Sequence, residues 1–369
     1  MRILILANYA NGLYLFRKEL VESFVTDGYE VYVSVPWDDN CKKLETLGVN
    51  LIKTDLDRHG INPFKDQALF RHYLKMIKAL HPDVVLTYTI KPNIYGALAA
   101  RIRNIPYIVN ITGLGKAIEG GGILSKVLIK LYKISTQKAV RVFFQNEKNR
   151  RVMQDKGIAL HNSDLLPGSG VNLTEHPFRD YPSESEGVRF LAVVRIMKDK
   201  GIGEYLDMVE EVSARHHEAH FELVGEYEED ERDKYEPRIK ELTDKGLLKY
   251  HGHIDNVEEV MSSVHVIVHP SYHEGMSNVL LEAAACGRPI LCSNINGCKE
   301  VVVEGKSGLL FEPESKDSLV AAVEQILELS KGQRSRMGVS GRKHIEDAFD
   351  RNIIIKKYKD LLGFESVKK

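Results

Sequence analysis

The stretch Val266-Ile267-Val268-His269-Pro270-Ser271-Tyr272-His273-Glu274-Gly275-Met276-Ser277-Asn278-Val279-Leu280-Leu281-Glu282 decides how this chain is read. It opens on an apolar run that predicts a strand. Ser277 is a predicted N-cap, with its hydroxyl placed to accept from a backbone N–H. Residues 279–285 are good helix formers. Glu274 therefore falls on the loop after the strand, and Glu282 more than a turn into the helix. The start of that helix offers unpaired N–H groups and the positive end of a dipole, which suit a phosphate or a polar sugar. One carboxylate on the loop and one on the helix can hold two parts of a polyhydroxylated ligand. The plainer alternative is ordinary capping and a solvated helix face.

Outward from this stretch, short apolar runs alternate with helical patterns. Strands are predicted at 2–7, 30–35, 50–53, 84–87, 107–110 and 140–144, with helices at 13–26, 64–80, 94–103 and 123–138 between them. The alternation restarts with strands at 188–194, 221–224, 248–251, 266–269 and 289–292. Continuous apolar strands between helices mean parallel sheets covered on both faces. The fold class is α/β, with two doubly wound, Rossmann-like domains facing a cleft; ligands of such sheets bind outside the carboxyl ends of the strands. Residues 177–187 are polar and rich in turn formers, and read as the linker. The expected domains are 1–180 and 187–348, with a C-terminal helix in 349–369 returning to the first.

Composition narrows the function classes. A chain of 369 residues exceeds what one core usually serves. Its 51 basic and 52 acidic residues balance, so nothing points to nucleic acid. No run of about 20 apolar residues exists, and no transmembrane helix is expected. Residues 1–7 lack the longer apolar region and cleavage site of a signal peptide and read as a first strand. Four cysteines imply a reducing compartment. Cys286, Cys292 and Cys298 recur every six residues but match no zinc pattern, and read as buried free thiols.

Two cations stand out in the second half. Arg195 ends the first strand of the second domain, and Lys200-Gly201 follows. Cations at a strand's carboxyl end neutralise a diphosphate, Arg bidentately and Lys as a point charge. The alternative is two surface cations. In the first half, Asn8-Tyr9-Ala10-Asn11-Gly12 joins the first strand to the first helix, and Gly12 would let the backbone approach a phosphate or serve a plain turn.

The Glu274–Glu282 pattern resembles the signature of retaining, nucleotide-sugar-dependent glycosyltransferases of family four. Ala283-Ala284-Ala285-Cys286-Gly287-Arg288-Pro289 and residues 300–311 look like the same family's run, and Arg195-Ile196-Met197-Lys198-Asp199-Lys200-Gly201 resembles its donor-phosphate motif. The resemblance spans nearly the whole chain. It implies the two-domain B architecture and transfer of a sugar from a nucleotide diphosphate with retention. It also implies that no catalytic nucleophile is obvious, and that the leaving diphosphate helps deprotonate the acceptor.

On this resemblance the catalytic residues are Arg195, Lys200 and Glu274, with Glu274 orienting the donor sugar and Glu282 holding the ribose. Gly225 and Ile254 sit in segments that look like those surrounding the base. Gly12 and the run Gly275, Met276, Ser277, Asn278 and Val279 complete the expected donor contacts. The acceptor candidates are Asn11, Lys91, Asn110, Thr112 and Gly113, the last two in a loop that runs on to Gly122 and would close over an acceptor. Many relatives carry a histidine where this chain has Asn110-Ile111-Thr112. Asn110 and Thr112 can bind sugar hydroxyls but are not bases at neutral pH. Glu300 resembles a family loop residue. Asp55-Leu56-Asp57 matches the metal-binding Asp-x-Asp of another glycosyltransferase architecture only superficially, and reads as a solvated turn. No metal and no cofactor are expected.

The overall look is that of bacterial enzymes building capsular, O-antigen or other glycans on polyprenyl-diphosphate lipids. The expected donor is a UDP-sugar carrying N-acetylhexosamine or galactose, and the expected acceptor is lipid-linked or a growing polysaccharide. Residues 116–156 hold ten basic residues against three acidic. Within them Lys126, Lys130 and Lys133 line one side of a helix, and Ile123, Val127, Leu131 and Ile134 another. Such a helix suits an anionic bilayer surface, or simply packs its apolar side on a sheet. The expected place is cytoplasmic, peripheral at the inner face of the plasma membrane. Two other classes fit: a UDP-sugar epimerase of the same architecture, and a non-catalytic nucleotide- or glycan-binding protein. A dinucleotide dehydrogenase is disfavoured, because no Gly-x-Gly-x-x-Gly follows the first strand.

Overall fold

A computed structural model describes residues 1–57, 62–114, 118, 121–254 and 256–366. It divides into two compact units: Met1–Ser169 together with the chain from Ile354, and Gly170–Ile353.

The first unit holds seven strands: β1 (Arg2–Leu6), β2 (Glu30–Val35), β3 (Asn50–Lys53), β4 (Val84–Tyr88), β5 (Tyr107–Ile111), β6 (Arg141–Phe144) and β7 (Ser163–Leu165). They pair in parallel in the order β3-β2-β1-β4-β5-β6-β7. The apolar run of β1 explains its central place. Ile3 and Ile5 enter the core on one face of the sheet, while Leu4 and Leu6 enter the core on the other. All four are essentially inaccessible to solvent, and burying each contributes roughly 1.5–3 kcal/mol.

The second unit repeats the plan with β8 (Val188–Val193), β9 (Ala219–Val224), β10 (Leu248–Tyr250), β11 (Val266–His269), β12 (Ile290–Ser293) and β13 (Gly308–Phe311), in the parallel order β10-β9-β8-β11-β12-β13. Each sheet therefore reverses its strand order once, between β1 and β4 and between β8 and β11. Ligands of doubly wound sheets bind at such reversals, beyond the carboxyl ends.

Four features depart from the sequence reading. β7 and β13 join the sheets although their runs are short, and β7 is mostly polar. The expected helix at 94–103 is a π-helical turn at Pro92–Gly96 followed by an α-helix at Ala97–Ile102. Buried polar bonds hold that turn: the Thr87 hydroxyl donates to Asn93 Oδ1 at 2.8 Å, and Asn93 Nδ2 donates to the Asn110 carbonyl at 2.8 Å. The first unit's N-terminal portion ends at Ser169 and the second begins at Gly170, so 170–186 belongs to the second unit. The segment 177–187 is accordingly not a free linker. Arg288 Nη2 donates to the carbonyls of Arg179 and Asp180, both at 2.9 Å, and Glu184 pairs with the buried Arg334 at 2.8 Å. Buried arginines need such partners, and a polar segment supplies them. At the other end, one helix spans Arg351–Ser366, and its Ile354, Tyr358 and Leu362 enter the first unit's core at a spacing of four residues.

The helix Gly122–Thr136 packs only part of its apolar surface inward: Leu128, Ile129, Leu131 and Tyr132 lie on the first unit's core, while a second apolar group faces out. Ser125, Tyr132, Ser135 and Thr136 are buried, whereas Ile123, Leu124, Val127 and Ile134 are exposed, Ile123 by 84%. Its buried hydroxyls are satisfied by nearby carbonyls: Ser125 by Ile118, and Ser135 and Thr136 by Tyr132. All four cysteines are free and buried, Cys41 in the first unit and Cys286, Cys292 and Cys298 in the second.

Candidate functional site

Three side chains converge where the second sheet reverses. β11 ends at His269, and Glu274 lies on the loop that follows. Lys200 ends the 3-10 turn Lys198–Lys200 after β8. Gly201 lets these two loops meet: with φ at +65°, a Cβ there would stand 2.0 Å from the Pro270 carbonyl oxygen. The Tyr272 N–H also donates to the Asp199 carbonyl at 3.0 Å.

Lys200 Nζ donates to Glu274 Oε1 at 2.5 Å, and to Ser271 Oγ at 3.4 Å. His269 Nε2 lies 3.1 Å from the same Glu274 oxygen and 3.2 Å from Ser277 Oγ. A carboxylate only accepts, so Nε2 carries the proton that it donates. Burial pushes the Glu274 carboxyl up. The hydrogen bond from His269, with the Lys200 ammonium, outweighs that and holds it at about 2. Both donors use Oε1, and among the described residues Oε2 has no partner.

The loop that carries Glu274 is braced from below. Ser277 caps the helix Asn278–Ala285, accepting from the Leu280 N–H at 3.4 Å. The Ser277 N–H donates to the Gly297 carbonyl at 2.8 Å, and the Gly297 N–H donates to Glu300 Oε2 at 2.7 Å. Glu300 thus fixes the turn against which the Glu274 loop rests. Met276 is buried and packs into the core, so its side chain is a support rather than a surface. Gly275 and Val279 are partly exposed, as is Asn278, whose Oδ1 is buried without a partner.

Glu282 sits one turn along the same helix, partly exposed. Burial pushes its carboxyl up to about 7, and the neighbouring Glu258 and Glu175 charges add to the rise against the opposing pull of Arg351. The two glutamates are therefore held in opposite conditions, Glu274 ionised by its partners and Glu282 short of them.

Arg195 is placed differently from Lys200. Its side chain is 63% exposed and pairs with Glu228 Oε2 at 2.7 Å, on the acidic run after β9. Gly225 gives this region its close packing, for a Cβ would stand 1.8 Å from the Val194 carbonyl oxygen. Ile254 is partly buried against the core of the unit.

In the first unit the expected residues scatter. Asn11 Nδ2 donates to the Tyr9 hydroxyl at 3.1 Å, and a Cβ on Gly12 would meet the Tyr9 ring at 2.9 Å. Lys91 pairs with Asp66 at 2.8 Å. Thr112 and Gly113 are partly exposed beyond β5, with space around Gly113; Gly115 and Gly120 of the same loop lie outside the described residues. Asn110 corrects the reading that its side chain faces a ligand. It is 2% exposed, donates from Nδ2 to the Thr87 carbonyl at 3.1 Å and accepts at Oδ1 from the Tyr358 hydroxyl. Both ends of its amide are used inside the unit. Among the described residues no cluster of three or more His, Cys, Asp or Glu could hold a metal ion, and no helix is long and apolar enough to cross a membrane.

His269 was not singled out from sequence. Its signal was a polar residue closing the apolar run Val266-Ile267-Val268, at the position that meets the ligand side of the sheet.

Residues 174–344 match the family model described as "Glycosyl transferases group 1", and residues 2–146 the one described as "Glycosyl transferase 4-like". A Campylobacter jejuni protein, N,N'-diacetylbacillosaminyl-diphospho-undecaprenol alpha-1,3-N-acetylgalactosaminyltransferase, is 28% identical over 97% of both chains. The Staphylococcus aureus capsular polysaccharide biosynthesis glycosyltransferase CapM is 26% identical over 80% of this chain and 82% of its own. Among solved structures, Anabaena HepE in complex with UDP superposes with a TM-score of 0.82 at 17% identity, over 98% of this chain and all of that one, a likeness of fold. With two sheets of this topology, glutamates on the loop and the helix, and family matches over both units, the chain belongs to the glycosyltransferases of the two-domain B architecture.

Proposed function

We propose that this glycosyltransferase moves an N-acetylhexosamine or hexose from a UDP-sugar, with retention and without a metal, to a polyprenyl-diphosphate-linked saccharide. One observation carries the reading: Lys200, His269 and Glu274 meet at the reversal of the second sheet. The Lys200 ammonium is held there by a carboxylate that a diphosphate would replace as its counter-charge. Arg195, exposed and paired only at the surface, swings to the same phosphates. Glu274, freed from Lys200 but still held by His269, accepts from the donor sugar through Oε2, and its negative charge favours the positive charge that builds at the anomeric carbon. Glu282 accepts from the ribose. Catalysis then consists mainly of holding the leaving diphosphate; losing one such donor typically costs roughly 3 kcal/mol, or about a hundredfold in rate.

The acceptor reading draws support from the Campylobacter relative, whose name specifies a lipid-diphosphate acceptor, and from the helix Gly122–Thr136. That helix turns Ile123, Val127 and Ile134 outward beside the exposed Lys126, Lys130 and Lys133. An outward apolar stripe flanked by lysines suits the interface of an anionic bilayer, which supports a place at the inner face of the plasma membrane.

A thermal-shift panel of UDP-, GDP- and ADP-sugars tests the donor: stabilisation by the UDP compounds alone is expected. Product analysis with donor alone, then with a lipid-linked acceptor, tests the reaction. Epimerised sugar without acceptor would replace transfer as the reading. Changing Lys126, Lys130 and Lys133 together to Glu is expected to abolish flotation with anionic vesicles; undiminished flotation removes the bilayer from the account.

A further inference from the structure

The carboxyl ends of β2 and β3 border a cavity of about 610 Å3 in the first unit, to one side of the β1–β4 reversal. Its lining includes Trp37, Lys53, Asp55, Asp57, Asp66 and Lys91. Nothing in the donor site uses it.

Three properties define what it takes. Trp37 is the only tryptophan of the chain and is 53% exposed, so a large flat ring borders the cavity where water reaches it. Trp is normally well buried, and an exposed one beside a cavity is a contact surface in waiting. The charges lining the cavity cancel: Lys53, Lys65 and Lys91 face Asp55, Asp57 and Asp66. Such a lining selects neither an anion nor a cation. It offers a dense set of donors and acceptors instead, which suits a neutral polyhydroxylated molecule. Part of that set is fixed in place, since Lys91 pairs with Asp66 at 2.8 Å while the Tyr95 hydroxyl donates to the other Asp66 oxygen at 3.1 Å. Among the described residues Lys53 and Asp55 make no ion pair, so their charged ends are open to a ligand. The volume lies within the range of roughly 300–1,000 Å3 seen for small-molecule sites, enough for one or two sugar rings.

We infer that this cavity binds a neutral saccharide, with Trp37 stacked under a sugar ring and Asp55 and Lys53 bonded to its hydroxyls. The inference rests on the glycan-acceptor reading above and deepens it: the cavity is a subsite for a non-reacting sugar of the acceptor. The Asp55-Leu56-Asp57 segment, which resembles a metal motif in sequence, then serves sugar hydroxyls.

Because Trp37 is the sole tryptophan, its fluorescence reports on this cavity without interference. The full chain is titrated with N,N'-diacetylchitobiose, maltose and lactose, and in parallel UDP binding is followed by thermal shift. At least one disaccharide is expected to shift the emission saturably, with a Kd in the millimolar range. The Asp55→Asn, Lys53→Met double variant, which keeps the tryptophan, is expected to weaken that binding at least fivefold. Trp37→Leu should raise the acceptor KM about tenfold in a transfer assay. Silent emission with every saccharide, or a response that survives the double variant unchanged, overturns the inference. If the emission is silent while UDP still stabilises the protein and transfer proceeds, the cavity fails and the transferase reading stands. If transfer and UDP stabilisation are also absent, the fault lies in that reading.

Discussion

Beside the reversal of the second sheet stand Lys200, His269 and Glu274, a charged group tied through a single carboxylate oxygen. Beside the reversal of the first stand Thr87, Asn93, Asn110, Tyr88 and Tyr358, a buried network of hydroxyls and amides, with the buried Arg17 guanidinium over the Tyr88 ring at 5.4 Å. Its Tyr88 hydroxyl donates to that of Tyr358 at 3.2 Å, and Tyr358 in turn donates to Asn110. The topology is the same and the chemistry is not. In the second unit the polar groups keep capacity in reserve, because Glu274 Oε2 is open and Lys200 can trade its partner. In the first unit the hydroxyls and amides bond one another, and among the described residues of this group the one atom held in reserve is the Nε of the buried Arg17. Capacity for a charged ligand is thus concentrated beside the second reversal, while the hydroxyls and amides beside the first are spent on one another.

The sharpest way to break this contrast is Lys200→Met. Turnover is expected to fall by about a hundredfold or more, and stability by roughly 3 kcal/mol, since a partly buried Glu274 loses one of its two partners. Adding Glu274→Gln should restore most of the stability, read by urea unfolding, and none of the turnover. Recovery of turnover in the double variant would show that the charge is structural.

The two glutamates sharpen the contrast within the second unit. Glu282, raised from 4.5 to about 7, contributes stability that is fully present below 4.5 and is lost as pH rises through about 7. Glu274, lowered to about 2, contributes stability present above 4.5 and lost as pH falls toward 2. Of these two, only Glu282 titrates between about 4.5 and 7, so its contribution to the unfolding free energy should fall by on the order of 2 kcal/mol across that window, and the pH profile of Glu282→Gln should differ from the parent's by that amount. If Glu282 holds the ribose as proposed, its ionised form accepts from both hydroxyls and UDP affinity should rise as pH passes 7; calorimetric titration showing a flat affinity would detach Glu282 from the ribose.

The smallest effect belongs to the network of hydroxyls and amides. Tyr358→Phe removes one hydroxyl and leaves the Asn110 oxygen unpaired, at a cost of about 1–2 kcal/mol in unfolding free energy, with kcat close to that of the parent. A large fall in kcat at unchanged stability would bring the first reversal into the chemistry and dissolve the contrast.

Most strands were legible because buried parallel strands leave continuous apolar runs such as Ile3-Leu4-Ile5-Leu6. β7 was not, since Ser163-Asp164-Leu165 at a sheet edge carries no such run. The segment 177–187 misled because its polarity satisfies buried Arg288 and Arg334 rather than water, and a sequence does not show which arginines are buried. Asn110 misled for a related reason: its partner Tyr358 lies 248 residues away. The places of Glu274 on its loop, Glu282 on its helix and Lys200 after β8 were legible from sequence, but the bond that joins Lys200 to Glu274 needed the fold. The outward turn of Ile123 and Val127 was invisible to periodicity, which gives the stripe and not its direction.

The burial of all four thiols has a practical consequence. Desolvation raises the Cys41 and Cys286 thiols above their ordinary range, Cys286 to about 12, so alkylating reagents find almost no thiolate in the native protein. One thiol lies in the first unit and three in the second. Pulsed alkylation read by mass spectrometry therefore gives each unit its own mass signature, and tells from a single sample which half melts first.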